Sequence, residues 1–300
     1  MSQKGENIYR RNDGGWEEVT FSKIAKDWLL SVKPRIKDSS LAKYRNLISS
    51  YIIPYFGEEL VDKMTTERIE EFCATLLSCG GREKRGLSPK TTADTLSVIR
   101  SILQYAARKH YHPGCDGRGI SIKQDSRTIC VLSRQNQTQL IEYLNAHQSF
   151  KNLGIFLCLF TGVRIGELCA LKWEDISFKE KTLYVHNTLQ RIQVQSKEDK
   201  KTKIVITAPK SVCSIRRIPI PDVIVEVLES FPGSHCGYIL TGDEDKFLEP
   251  RTMEKHFKKV LENSHVDYVN FHALRHTFAT RCIEVGFDVK SLSEILGHAN

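Results

Sequence analysis

Three short segments of the 300-residue sequence place cationic side chains where an element begins or turns. They are TGVRIGELCALKW with Arg164, NFHALRHTFATRC with His272 and Arg275, and EILGHAN with His298. Arginine presents a planar fork of donors that grips an oxyanion with paired hydrogen bonds. Histidine titrates near neutrality and can carry a proton to or from a reacting group. Each segment alone also has a plainer reading: a surface arginine for Arg164, a common helix ending for Gly297 and His298. His272 and Arg275 are three apart and share one helix face. His272 and His276 have the four-residue spacing of a metal-binding helix, but Ala273 stands where a zinc-protease helix carries glutamate, and no acidic third ligand is evident. No metal and no cofactor are therefore expected.

The elements that must position these residues can be read from periodicity. After a polar, glycine-rich stretch of residues 1–20, Phe21, Ile24, Ala25, Trp28, Leu29 and Val32 recur at helical spacing. Ser39 or Ser40 can cap a second helix carrying Leu41, Tyr44, Leu47, Ile48 and Tyr51, with Pro54 and Gly57 expected to stop it. A third helix starts at Thr65 or Thr66 and reaches about Ser78. Ser88 followed by Pro89 is an N-cap and first-turn pair, opening a fourth helix with Leu96, Ile99, Ile102, Leu103 and Ala106 inward. Four helices with short connections make a bundle over residues 21–110. The Gly- and Pro-rich residues 111–127 read as a linker.

Residues 128–300 mix types. A cap at Ser133 opens one helix and a buried helix covers Leu153 to Phe160. KTLYVHNTLQRIQV, KIVITA and SIRRIPI then carry strand signals of one antiparallel meander, with Lys210 and Ser211 near its last turn. Helices return at Pro221–Phe231, Arg251–Asn263, His272–Val285 and Asp288–Leu296. The expected fold class is mainly α with a small antiparallel sheet, α+β, in two domains.

Bulk composition narrows the function. An apolar fraction of 40% and a charged fraction of 27% belong to a globular protein. The longest apolar run, Ile155 to Phe160, is too short to span a bilayer, and the opening MSQKGENIYRRNDGG has no apolar secretory core. A cytoplasmic protein with no membrane partner is expected. Nine cysteines without a CxxC pair suggest neither a disulfide framework nor a zinc ribbon, and read as buried free thiols. The net charge is +8, and residues 21–110 hold 16 Lys plus Arg against 10 Asp plus Glu, a +6 excess. A basic helical domain beside a nearly neutral one suits a polyanionic partner.

In order and spacing, TGVRIGEL, TAPKSVCSIRRIPI, HALRHTFAT and LGH resemble the catalytic domain of tyrosine recombinases, the phage integrases and their relatives on conjugative transposons. The likeness runs from Leu132 to Asn300, with Ser211 in place of the usual threonine after the hairpin lysine. LSPKTTADTLSVIRSILQYAARK similarly resembles the last helix of the family's SAM-like core-binding domain. The resemblance implies a core-binding domain at 21–110, a linker at 111–127 and a catalytic domain at 128–300, closing on double-stranded DNA. It implies that Arg164 and Arg275 grip the scissile phosphate, that His272 assists proton transfer at the nucleophile, and that His298 hydrogen-bonds the phosphate. Lys210 matches the lysine that protonates the departing 5′-oxygen; Lys201 and Lys203 are neighbouring candidates. Glu167 reads as a brace for Arg164. A homotetramer on DNA is the implied assembly of the complete enzyme, with an excisionase-type directionality factor as a further partner.

Two features depart from the family pattern. Its attacking tyrosine lies about one helix beyond the LGH, whereas Asn300 follows His298 by two residues. Tyr184, Tyr238 and Tyr268 read as packed aromatics, so the 300-residue chain is expected to be cleavage-deficient. NIYRRNDGGWEE resembles the first strand of an arm-site-binding domain whose remainder is missing, which leaves residues 1–20 as a flexible leader. The rival readings are a non-catalytic DNA-binding remnant, a type IB topoisomerase and, remotely, a metal-dependent hydrolase using His272 and His276. The charge distribution yields the first prediction. Affinity for duplex DNA should fall ~10³-fold or more between about 50 and 200 mM salt, as counterions are released from several phosphates. A salt-insensitive isotherm in a filter or fluorescence assay contradicts it.

Overall fold

The computed structural model describes residues 18–81, 83–124, 129–193, 202–208, 214–233 and 235–297. It divides into two compact units, residues 1–126 with 192–201, and residues 127–191 with 202–300. Two of the expected site residues, Lys210 and His298, lie outside the described residues, as does all of NIYRRNDGGWEE except Glu18.

The first unit is the helical bundle. α1 (Phe21–Val32) buries Phe21, Ile24, Ala25 and Trp28, the stripe its spacing predicts. α2 (Asp38–Leu47) starts before either candidate serine, with Asp38 in its first turn, where a carboxylate opposes the positive end of the helix. The helix does not stop at Pro54. It widens into a π-turn over Ile48–Ile52 and resumes as α3 (Ile53–Phe56). The wider turn absorbs the missing N–H of Pro54 and the clash its ring makes with the preceding turn. Thr65 caps α4 (Thr66–Cys79), and Ser88 caps α5 (Pro89–Arg108) by accepting from the Thr91 N–H at 3.2 Å. Phe21, Phe56 and Phe72 meet in the centre, their rings 6.1 and 4.9 Å apart, against Ile99, Ile102 and Leu103 of α5. Each of these burials is worth about 1.5–3 kcal/mol.

The bundle also takes in neighbouring segments. Val19 is buried, and Thr20 bridges to Leu60. The stretch after α5, read as linker, folds along the bundle as far as Ile120. Arg100 of α5 donates to the carbonyls of Gly117, at 2.9 Å, and of Ile120, while Gly114 N–H donates to Val61 at 3.1 Å. A loop fixes itself in this way when its carbonyls find a cation, an event that composition does not reveal.

In the second unit α6 (Arg134–Ala146) is capped by Ser133, and α7 (Phe150–Thr161) is apolar on nearly every side. α8 (Ile165–Ala170) follows after a short turn. The strands β1 (Ile176–Ser177), β2 (Thr182–Val185), β3 (Thr188–Gln193), β4 (Thr202–Thr207) and β5 (Arg216–Pro219) do not form one meander. β1, β2 and β5 make a three-stranded antiparallel sheet in that order, and β3 pairs with β4 separately. The chain breaks at His186 and Asn187, so β2 pairs with the distant β5 in the register Leu183 to Ile218. α9 (Asp222–Glu229), α10 (Pro250–Asn263), α11 (His272–Glu284) and α12 (Val289–Leu296) complete the unit. Tyr238 sits in isolated bridges to Lys172 and Asp243 rather than in a strand. No described helix is long and apolar enough to cross a membrane.

Candidate functional site

Four element ends of the second unit converge. α7 ends at Gly162, which adopts φ +65° and could carry no side chain, since a Cβ there would lie 2.6 Å from the ring of Phe278 on α11. The chain turns at once into α8, with Arg164 as its N-cap residue. Glu167, in the first turn of α8, reaches back to accept from the Arg164 backbone N–H at 2.9 Å and from its guanidinium at 2.8 Å. Asn270 accepts from the Ala273 N–H through both its carbonyl and its side chain, fixing the start of α11. His272 therefore opens that helix, exposed, and Arg275 lies one turn inward, buried.

The three guanidiniums of Arg164, Arg216 and Arg275 meet at the last turn of α12. Arg216 Nε donates to the Ile295 carbonyl at 2.6 Å, Arg275 Nη2 to Leu296 at 2.7 Å, and Arg164 Nη2 to Gly297 at 3.2 Å. Consecutive carbonyls at a helix C-terminus have no partners within the helix and carry its partial negative charge, which suits cations. Arg275 also donates to the Gly162 carbonyl at 2.7 Å, tying the end of α7 to the same point. Glu167, only 3% exposed, accepts from both η nitrogens of Arg216, at 3.2 and 2.9 Å. One buried carboxylate thus serves two arginines.

The electrostatics follow. Burial pushes the Glu167 carboxyl up, but the bonds and charges of Arg216, then Arg164, outweigh it and hold the group below its ordinary value. Burial, then the neighbouring Arg164 charge, pushes Arg275 down to about 10, so it is still a cation at neutral pH. Concentrated positive charge in a desolvated place is what an anionic ligand relieves.

Beside this cluster lies a cavity of about 340 Å³ lined by His272, His276, Arg275, Asn270, Glu254 and Cys130, among others. Two of the expected residues, His272 and Arg275, therefore share one cavity, and Arg164 joins Arg275 through the end of α12. No tyrosine among the described residues lines that cavity. His276 stands edge-on to His272, ring centroids 4.7 Å apart. Among the described residues no group of three His, Cys, Asp or Glu side chains gathers as metal ligands would.

Arg216 was assigned no role from the sequence. The signal was present in the alternation of β5, where Arg216 shares the inward face with Ile218 while Arg217 and Pro219 point outward. An inward arginine in a buried strand demands a carboxylate, and Glu167 is that partner.

Comparison with known proteins gives a consistent picture. Residues 131–300 match the phage integrase family, and residues 20–77 match the N-terminal SAM-like domain of phage integrases. A XerC-like tyrosine recombinase of Caldanaerobacter subterraneus is 28% identical over 314 aligned residues, 95% of this chain and 78% of that protein. Among solved structures, the Tn1549 transposon integrase in complex with a circular-intermediate DNA superposes with a TM-score of 0.75 at 17% identity, over 94% of this chain and 92% of that one. A lambda integrase tetramer bound to a Holliday junction gives 0.69 at 19% identity, over 100% and 82%. At these identities the structural matches bear on the fold.

The shared carboxylate sets a testable expectation. Glu167→Ala leaves Arg216 buried without its carboxylate and should destabilise the second unit by about 3–5 kcal/mol in urea unfolding. Because the folded-state pKa of Glu167 is depressed, its contribution is complete above the ordinary value of 4.5 and is lost as pH falls through the folded value. Glu167→Gln should lack that acid-side component. A Glu167→Ala cost under about 1 kcal/mol contradicts the assignment.

Proposed function

The chain belongs to the phage integrase family, and on that footing we propose that it binds double-stranded DNA and that its site performs site-specific strand breakage and rejoining through a 3′-phosphotyrosine. Arg164 and Arg275 grip the nonbridging oxygens of the scissile phosphate, where negative charge builds in the transition state. The observation that carries this reading is the convergence of those guanidiniums at one helix end, beside a cavity that also holds His272. A tyrosine oxygen attacks phosphorus, the P–O5′ bond breaks, and the departing 5′-oxygen takes a proton from Lys210. His272 assists removal of the tyrosine proton, and His298 hydrogen-bonds the phosphate. Rejoining is the reverse: a 5′-hydroxyl attacks and the tyrosine leaves. The covalent intermediate conserves the bond energy, so the cycle needs neither ATP nor a metal ion.

The working assembly is a homotetramer on DNA, supported by the fold shared with the junction-bound lambda integrase tetramer. A directionality factor of the excisionase type is a further proposed partner. A second reading, DNA binding without cleavage, is favoured for residues 1–300 by the lack of a tyrosine among the described residues of the cavity. The helical bundle, matched by the SAM-like domain, weighs against a type IB topoisomerase.

One experiment separates cutting from binding. Duplexes selected by residues 1–300 from a random library should be bound without forming a covalent adduct. Adding a helix with tyrosine at the family spacing after His298 should produce an adduct that survives denaturing gels and chelators. That adduct should vanish when the added tyrosine is phenylalanine, with DNA affinity little changed. A denaturant-stable adduct from residues 1–300 alone means that one of their own tyrosines attacks, and contradicts the assignment.

A further inference from the structure

We propose that Arg216 is a positioning residue for strand cleavage: it sets the last turn of α12 and the Arg164–Glu167 pair in one register, so that a phosphate meets its ligands together. The inference rests on the phosphate-site reading above. Arg216 does not line the cavity, and its side chain is 5% exposed, so it acts only through what it holds. Its planar guanidinium makes four bonds: to Ile295 on α12, to the Ser214 carbonyl at 3.0 Å on its own segment, and to both oxygens of Glu167 on α8.

The geometry gives this consequence. Arg164, Arg216 and Arg275 bind three successive carbonyls, so the turn at 295–297 cannot shift without disturbing all of them. Gly297, which ends α12 with φ +65°, is joined by one peptide bond to His298. Arg164 and Arg275 face a phosphate in the proposed reaction, and each also spends a donor on this turn. Arg216 alone is committed wholly to holding. Apolar replacement of a buried arginine–carboxylate pair is often neutral or stabilising, so fixed geometry rather than stability is the role assigned to this one. Lysine keeps the charge but has one nitrogen, which cannot span Ile295, Ser214 and Glu167.

Residues 1–300 with labelled histidines allow a test with inorganic phosphate as the probe, His298 being assigned by loss of its signal in His298→Gln. The unmodified chain should bind phosphate, and phosphate should shift the titration of the His298 imidazole. R216K should unfold cooperatively, yet bind phosphate roughly 10-fold or more weakly and lose that shift, as the misplacement of one charge-assisted hydrogen bond to phosphate would cause. R217K serves as control, since Arg217 lies on the outward face of β5 against Tyr184 and Glu180; both readouts should be unchanged. If R216K does not fold, R216Q is read in the same way, because Glu167 keeps Arg164 as its cation. A folded variant that matches R217K in both readouts overturns the proposal while leaving the phosphate site standing. Failure of both variants to fold also overturns it, by reducing Arg216 to a stability element. No phosphate response in the unmodified chain overturns the site reading, and this inference with it.

Discussion

An arginine taken out of water loses several kcal/mol of solvation unless its donors find acceptors and its charge finds a partner. The second unit meets that demand for Arg216 and Arg275 largely with acceptors at element ends: the last carbonyls of α12, the Gly162 carbonyl that closes α7, and Glu167 in the first turn of α8, with the Ser214 carbonyl beside them. Helix ends are where backbone carbonyls remain unpaired, so a fold that buries guanidiniums must bring helix ends to them. The turn from α7 to α8, the inward face of β5 and the last turn of α12 bring those acceptors and guanidiniums together. The glycine at 162 lets α7 close against Phe278 without a side chain in the way.

The same arrangement prepares the site electrostatically. In the proposed reaction, donors already oriented by these bonds spare the reorganisation that water would need around a developing charge. An added anion would relieve the burial and the Arg164 repulsion that lower Arg275. Two thiols buried behind the site, Cys158 and Cys169, are poor nucleophiles. Cys158 is fully buried and its pKa stands well above the ordinary value, while burial pushes Cys169 to about 12. Four of the eight described cysteines are buried, and Cys79, Cys130 and Cys236 are exposed, so the reading of uniformly buried thiols holds only for the core.

Much of this was legible in the sequence, because the signals were local. Caps at Thr65, Ser88 and Ser133 and the three-and-four stripes of α1 and α5 located helices to within a residue or two. The four motifs located the arginines and His272. What escaped notice was long-range. Nothing local tells that a π-turn will carry a helix past Pro54, that Arg100 will pin the loop at Gly117, or that β2 will pass over β3 to pair with β5. Arg216 stood in a recognised motif, yet its role depends on Glu167, 49 residues away. Pattern identifies which groups are present; closure of the chain decides which of them share a charge.

The central claim is that Arg164 and Arg275 together form a phosphodiester site. Its most direct test is a crystal structure of residues 1–300 on a selected duplex carrying a single nick. The account places one backbone phosphate with nonbridging oxygens roughly 3 Å from guanidinium nitrogens of both arginines, with the α12 turn still held by Arg216. A duplex seated with no phosphate in reach of Arg275, or an α12 turn released from all three arginines, would contradict it.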